Sequence, residues 1–138
     1  MTITSQNVVV YAGDSQTVAV TLSDANGDPF TLSASGTVKY RVAQTSHDSD
    51  DPEVAKELNG GVVMNGNVAE VTLLSTDTNL PNGIYYHELK VYDLGDVSTA
   101  MTGAFVVRNA LSMMGALSQG QSMLSGRVTL SVNAVKFP

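Results

Sequence analysis

Leu80-Pro81-Asn82-Gly83-Ile84-Tyr85-Tyr86-His87-Glu88-Leu89-Lys90-Val91-Tyr92-Asp93 begins as a turn and continues as a strand. Proline fixes φ, and asparagine and glycine tolerate the backbone angles that turns demand, so Leu80 to Gly83 punctuates the chain. From Ile84 onward the residues alternate, with Tyr85, His87, Leu89 and Val91 on one face. Side chains of a strand point alternately to opposite sides, so a period of two marks a strand with one face on a core.

Working outward, the same pattern recurs on both sides. Val8 to Tyr11 is a β-rich run stopped by Gly13-Asp14, and Thr17 to Leu22 places Val18, Val20 and Leu22 on one face. Ser23 to Pro29 is a dense turn cluster containing Asn26-Gly27, a pair that accepts positive φ at both positions. Thr37 to Val42 alternates through Val38, Tyr40 and Val42, and Gly61 to Leu74 reads as a hairpin turning at Asn65-Gly66. Val97 to Val107 follows the turn at Leu94-Gly95-Asp96. This predicts about seven strands by residue 107, at the spacing of a β-sandwich. Between them, residues 44–59 are the least strand-like, and Val54 to Leu58 fits either one helical turn or an edge strand. No helix of ordinary length is predicted.

A chain of 138 residues fits one domain and can bury a core without a metal or disulfide. Hydrophobic residues make up 43% and charged residues only 14%, which suits a sandwich with Ser/Thr-rich outer faces better than a helical bundle. The net charge is −6 and the seven Lys and Arg are scattered, so neither nucleic-acid nor anionic-membrane binding has electrostatic support. Without cysteine there is no disulfide framework, thiolate metal site or thiol nucleophile, which fits folding in a reducing cytoplasm. Met1 to Gln6 lacks the charged and apolar regions of a signal peptide, and no apolar run approaches the ~20 residues that cross a bilayer.

The candidate chemistry is thin. Gly13-Asp14-Ser15 is similar to the nucleophile block of one lipase and esterase family, but that chemistry needs a base beside the serine, and the only histidines are His47 and His87. Asp24-x-Asn26-x-Asp28 matches the opening of a calcium loop, yet Pro29 stands at the glycine position and Ser35 where the bidentate Glu belongs. The acidic run Asp48, Asp50, Asp51 and Glu53 reads as a solvated loop, with His47 in water beside it. His87 lies on the apolar face of its strand and reads as a hydrogen-bonded, partly buried histidine. No catalytic residue, metal site or cofactor is expected. Tyr85 is placed to bond back to the preceding corner through its hydroxyl, the tyrosine corner of Greek-key sandwiches.

The chain changes character after residue 108. From Asn109 to Ser125 there is no charged residue, and Leu111, Met113, Met114, Leu117, Met123 and Leu124 stand among Gly and Ser. Flexible thioethers suit an adaptable contact surface. Residues 1–108 are therefore read as the sandwich, and 109–138 as an apolar, Met-rich arm followed by a strand through Val128, Leu130 and Val132. The arm either packs on its own domain or reaches a neighbouring subunit and adds a strand there.

The order of these features resembles the immunoglobulin-like domains of tailed-phage virion proteins. It runs from Gly13-Asp14-Ser15 through Asp24-x-Asn26-Gly27-x-Pro29-Phe30-x-Leu32 and Val38-x-Tyr40-x-Val42. It continues through Val71-x-Leu73, Leu80-x-x-Gly83-x-Tyr85-x-x-x-Leu89-x-Val91-x-Asp93 and Gly103-x-Phe105-x-Val107. The resemblance covers roughly residues 8–108; the insert at 44–59 and the tail after 108 depart from a minimal domain. It implies an immunoglobulin-like Greek-key sandwich and a structural, non-enzymatic role in the virion, with synthesis in the bacterial host cytoplasm. A free-standing chain of this size resembles a capsid decoration (cement) protein that binds the major capsid protein as a homo-oligomer such as a trimer. A tail or baseplate component is the alternative, and a carbohydrate-binding or adhesion module is the alternative of another class.

Overall fold

The computed structural model describes residues 4–45, 51–109 and 127–131, with the backbone alone at 4–5 and 127–131. The fold is all-β. The strands are β1 (Thr4–Ser5), β2 (Val8–Tyr11), β3 (Gln16–Thr21), β4 (Thr37–Ala43), β5 (Val54–Leu58), β6 (Gly61–Asn65), β7 (Val68–Leu73), β8 (Gly83–Asp93), β9 (Asp96–Arg108) and β10 (Arg127–Ser131), with a one-turn helix α1 (Ser75–Thr78). Nine of these strands, β1 to β9, end by Arg108, where the alternation predicts about seven. The additional two are β5, which takes the strand alternative, and the two-residue β1, too short to carry a pattern.

The strands form one hydrogen-bonded path, β1-β9-β8-β4-β5-β6-β7-β3-β10, with β2 also on β9. The path bends back on itself between β5 and β6. Only Glu57↔Gly61 and Leu58↔Val62 pair there, in parallel, across a two-residue connection. Parallel neighbours ordinarily need a long crossover, so this is a corner, turned through positive φ at Asn59 (67°) and Gly61 (108°). Inward side chains of the two halves consequently meet: Val18, Val20, Val62 and Val71 share one core with Val38, Tyr40, Leu89, Val91 and Phe105. The hairpin β6–β7 turns over Gly66-Asn67, and in the 23–29 turn only Gly27 takes positive φ, where Asn26-Gly27 permits two.

The longest hairpin, β8–β9, carries an irregularity that sets the faces of the sheet. Leu89 pairs with Met101 but Lys90 pairs with Thr99, leaving Ala100 as an extra residue. A bulge of this kind reverses the alternation. Ser98 and Ala100 point inward before it and Met101, Phe105 and Val107 after it, all buried. The turn end of the hairpin is tied down by Asp93, whose carboxylate accepts from the Ser33 amide at 2.9 Å and from the Ser33 hydroxyl. These bonds hold its pKa below the ordinary carboxylate range. At the far end of the path, β10 runs parallel to β3 from Arg127↔Thr17 to Ser131↔Thr21.

Candidate functional site: the outer face of β2, β9, β8 and β4

Alternation on paired strands puts their outward residues in rows across the outer face. One row is Ile84–Val106–Val9, from the pairs Ile84↔Val106 and Val9↔Val106. The next is Ala43–Tyr86–Ala104, and the third is Arg41–Glu88–Thr102. A fourth, beyond the bulge, carries Lys39, Lys90 and Thr99, and the Lys39 ammonium lies 5.0 Å from the centre of the Tyr92 ring. The face therefore grades from apolar to charged along the strands. Its apolar end is open to solvent: Ile84 is 64% exposed, Tyr86 44% and Val9 42%. Scattered exposed apolar residues are ordinary, whereas these stand beside one another on one face of the sheet.

Between the second and third rows lies a cleft of ≈ 460 Å³, bordered by Arg41, Tyr86, Glu88, Thr102, Ala104 and Asn7. His87 and Gly103 also line it, and Asn7 brings to its edge the point where the N-terminal strand is interrupted. β1 and β2 hold one common register on β9, from Thr4↔Met101 and Ser5↔Thr102 to Val8↔Phe105, and Gln6-Asn7 falls in the gap. The Gln6 amide still donates to the Thr102 carbonyl at 2.7 Å. In a regular parallel ladder the Gln6 carbonyl would then accept from Ala104. Instead it accepts from Nε2 of His87 at 2.6 Å, and the Asn7 side-chain oxygen takes the Ala104 amide at 2.9 Å.

His87 is 2% exposed, more enclosed than its sequence position implies. A carbonyl oxygen accepts only, so Nε2 carries the hydrogen and Nδ1 of the neutral ring is the acceptor. The Tyr40 hydroxyl donates to it at 2.9 Å. Tyr40 is fully buried and its pKa is pushed far up by desolvation, which keeps it a neutral donor. Burial lowers the His87 pKa, and the bond to Gln6 opposes that in part. Gly103, paired with His87, is needed because the Gln6 backbone occupies the space where a β-carbon would stand.

The other sequence candidates are dispersed. The Tyr85 hydroxyl donates to the Pro81 carbonyl at 2.8 Å, four residues upstream, and Tyr85 is 6% exposed. Asp14 and Gly13 form a turn closed by the Asp14 amide on the Tyr11 carbonyl, leaving Ser15 exposed with no histidine near it among the described contacts. Asp24 organises its own loop by accepting the Asn26 and Asp28 amides at 2.9 and 3.0 Å. Among the described residues no cluster of acidic, His or Cys side chains could hold a metal ion. Glu53 accepts from the Gln44 side chain, whereas His47, Asp48 and Asp50 lie outside the described residues. So do Leu111, Met113, Met114, Leu117, Met123 and Leu124. Sequence reading passed over Gln6 and Asn7, and nothing local marks either residue. The apolar row was signalled only weakly, by Ile84 and Val106 standing on the polar phase of their strands.

No protein-family model, curated protein or solved structure matches this chain. No helix among the described residues is long and apolar enough to cross a membrane.

Proposed function

We propose that this chain is a structural protein of a tailed-phage virion, built as an immunoglobulin-like Greek-key sandwich, and that it acts as a capsid decoration protein. The observation that carries the reading is the strand order. β3-β7-β6 beside β5-β4-β8-β9 corresponds to the B-E-D and C′-C-F-G arrangement of such sandwiches. Two further features support it: β2 lies parallel on β9, and the Tyr85 hydroxyl bonds back across the corner before β8. The role is the one the resemblance implies, and the apolar outer face around Ile84, Val9 and Tyr86 supports it as a surface suited to docking on an assembled shell as a homo-oligomer.

The test is sedimentation of purified protein with undecorated capsids of the parent phage. Co-sedimentation at a fixed copy number per shell is expected, and its loss in the folded double variant Val9→Asp/Ile84→Asp places the contact on the outer face. Failure of the unaltered protein to sediment with capsids overturns the decoration reading. Copurification with tails would support the tail or baseplate alternative, and glycan binding with no capsid present would support the adhesion module.

A further inference from the structure

We propose that β10 is an exchangeable strand: in the homo-oligomer, the β3 edge of each copy receives residues 127–131 of a second copy of this chain and gives its own in return. The inference rests on the homo-oligomeric part of the reading above and names the surface that joins the copies. β1 and β2 both pair with β9, so no strand N-terminal to β3 takes its outer edge, while β7 holds the other edge. Residues 127–131 fill the outer edge in parallel, from Arg127↔Thr17 to Ser131↔Thr21, and among the described strands they pair with nothing else. A sheet edge presents a row of main-chain donors and acceptors that a strand from another chain can satisfy. The slot fixes a direction and a register, and it accepts the same strand from either copy.

The length of the connection points to a second copy as donor. Both of its ends lie at one end of the molecule. Arg108, the last residue of β9, is paired with Tyr11 and accepts from the Ala12 amide at 2.8 Å, and Arg127 is paired with Thr17. Tyr11 and Thr17 are six residues apart, joined through a turn that the Asp14 amide closes on the Tyr11 carbonyl. Six residues span at most ~20 Å and each pairing adds ~5 Å, so ~30 Å bounds the gap and about nine residues would close it. Along the chain Arg127 follows Arg108 by 19 residues, a reach of up to ~65 Å. Connections in compact domains are commonly far shorter, and long ones tend to carry function. Asn109 to Ser125 also holds no charged residue, so it can lie between subunits without leaving an unpaired charge there. Exchange keeps every β10–β3 pair, so no contact is lost in passing from one arrangement to the other.

The chain has no cysteine, so engineered thiols report the pairing without background. Two full-length single variants, Thr21→Cys and Ser131→Cys, are co-expressed with different affinity tags, purified through both tags in turn and oxidised. Thr21 and Ser131 are directly aligned, within disulfide reach across neighbouring strands. A covalent heterodimer is therefore expected. It should be lost when Arg127→Cys replaces Ser131→Cys, because Arg127 aligns with Thr17, four residues away along β3. The double variant Thr21→Cys/Ser131→Cys reports the arrangement within one chain. Exchange is overturned if the two tagged chains do not copurify, or if disulfide forms within the double variant but not between the single variants. Equal cross-linking by the mismatched pair also overturns it, since that would reflect random collision. No capsid is present in this experiment, so its failure leaves the sedimentation result for the virion role standing.

Discussion

Tyr85 and His87 stand two residues apart on the inward face of β8, and they differ in how far away their partners are. The acceptor of Tyr85 is Pro81, inside the turn that introduces the strand, so residues 80–85 are enough to anticipate the bond. The acceptor of His87 is Gln6, 81 residues upstream, and no local pattern announces it. Tyr85→Phe should lower stability by about 1 kcal/mol, the net worth of one hydrogen bond. Chemical denaturation would check this, and an unchanged midpoint would show that the hydroxyl contributes nothing. Asp93 offers a second test. Its folded-state pKa is depressed, first by the Ser33 hydroxyl and then by the Ser33 amide. The stabilisation is therefore complete above the unfolded carboxylate pKa of about 3.9 and is lost as pH falls through the lower folded value. Ser33→Ala should cost about 1.5 kcal/mol at pH 7, the low end for a bond to a charged group, and clearly less at pH 2. Equal costs at the two pH values would refute the assignment.

Strands were legible where one face is buried and the other wet, as in β4 and β8, because burial forces the period of two. They were not legible where that condition fails. β5 is bounded by the acidic insert and a corner, so Val54 to Leu58 fits two structures until its pairing with β4 is seen. The bulge at Ala100 leaves adjacent residues Ala100 and Met101 both buried, which breaks the alternation that reads a strand from sequence. The interruption between β1 and β2 is likewise a property of two strands together, since Gly103 on β9 makes room for Gln6. Gly103→Ala puts a methyl group where the Gln6 backbone lies, and Val8 prevents the strand from sliding away. The expected cost is about 2 kcal/mol, typical of overpacking a filled site, with the Gln6 backbone displaced and its amide losing protection from hydrogen exchange. A variant as stable as the parent, with Gln6 still protected, would show that the close approach is not required.

At the scale of the whole molecule, the boundary at residue 108 rests on composition, and the strand that follows the apolar segment lies on the parent domain's own sheet. Among the described strands β10 pairs with β3 alone, at the end of the path. The inward residues Val18, Val20 and Leu22 belong to the core shared with β4, β8 and β9. Pairing with β10 therefore satisfies main-chain groups along one edge of β3, and pairing with β7 on the other edge keeps β3 in place. Deleting residues 109–138 should leave a domain that melts cooperatively at a lower temperature and retains its β-sheet circular dichroism. If these residues serve as an intersubunit arm in the virion role proposed above, the truncated chain should be monomeric by light scattering where the full chain is not. Loss of cooperative melting in the truncated chain would instead make residues 109–138 part of the folding core, and the division at 108 would then mark a change of composition within one structural unit.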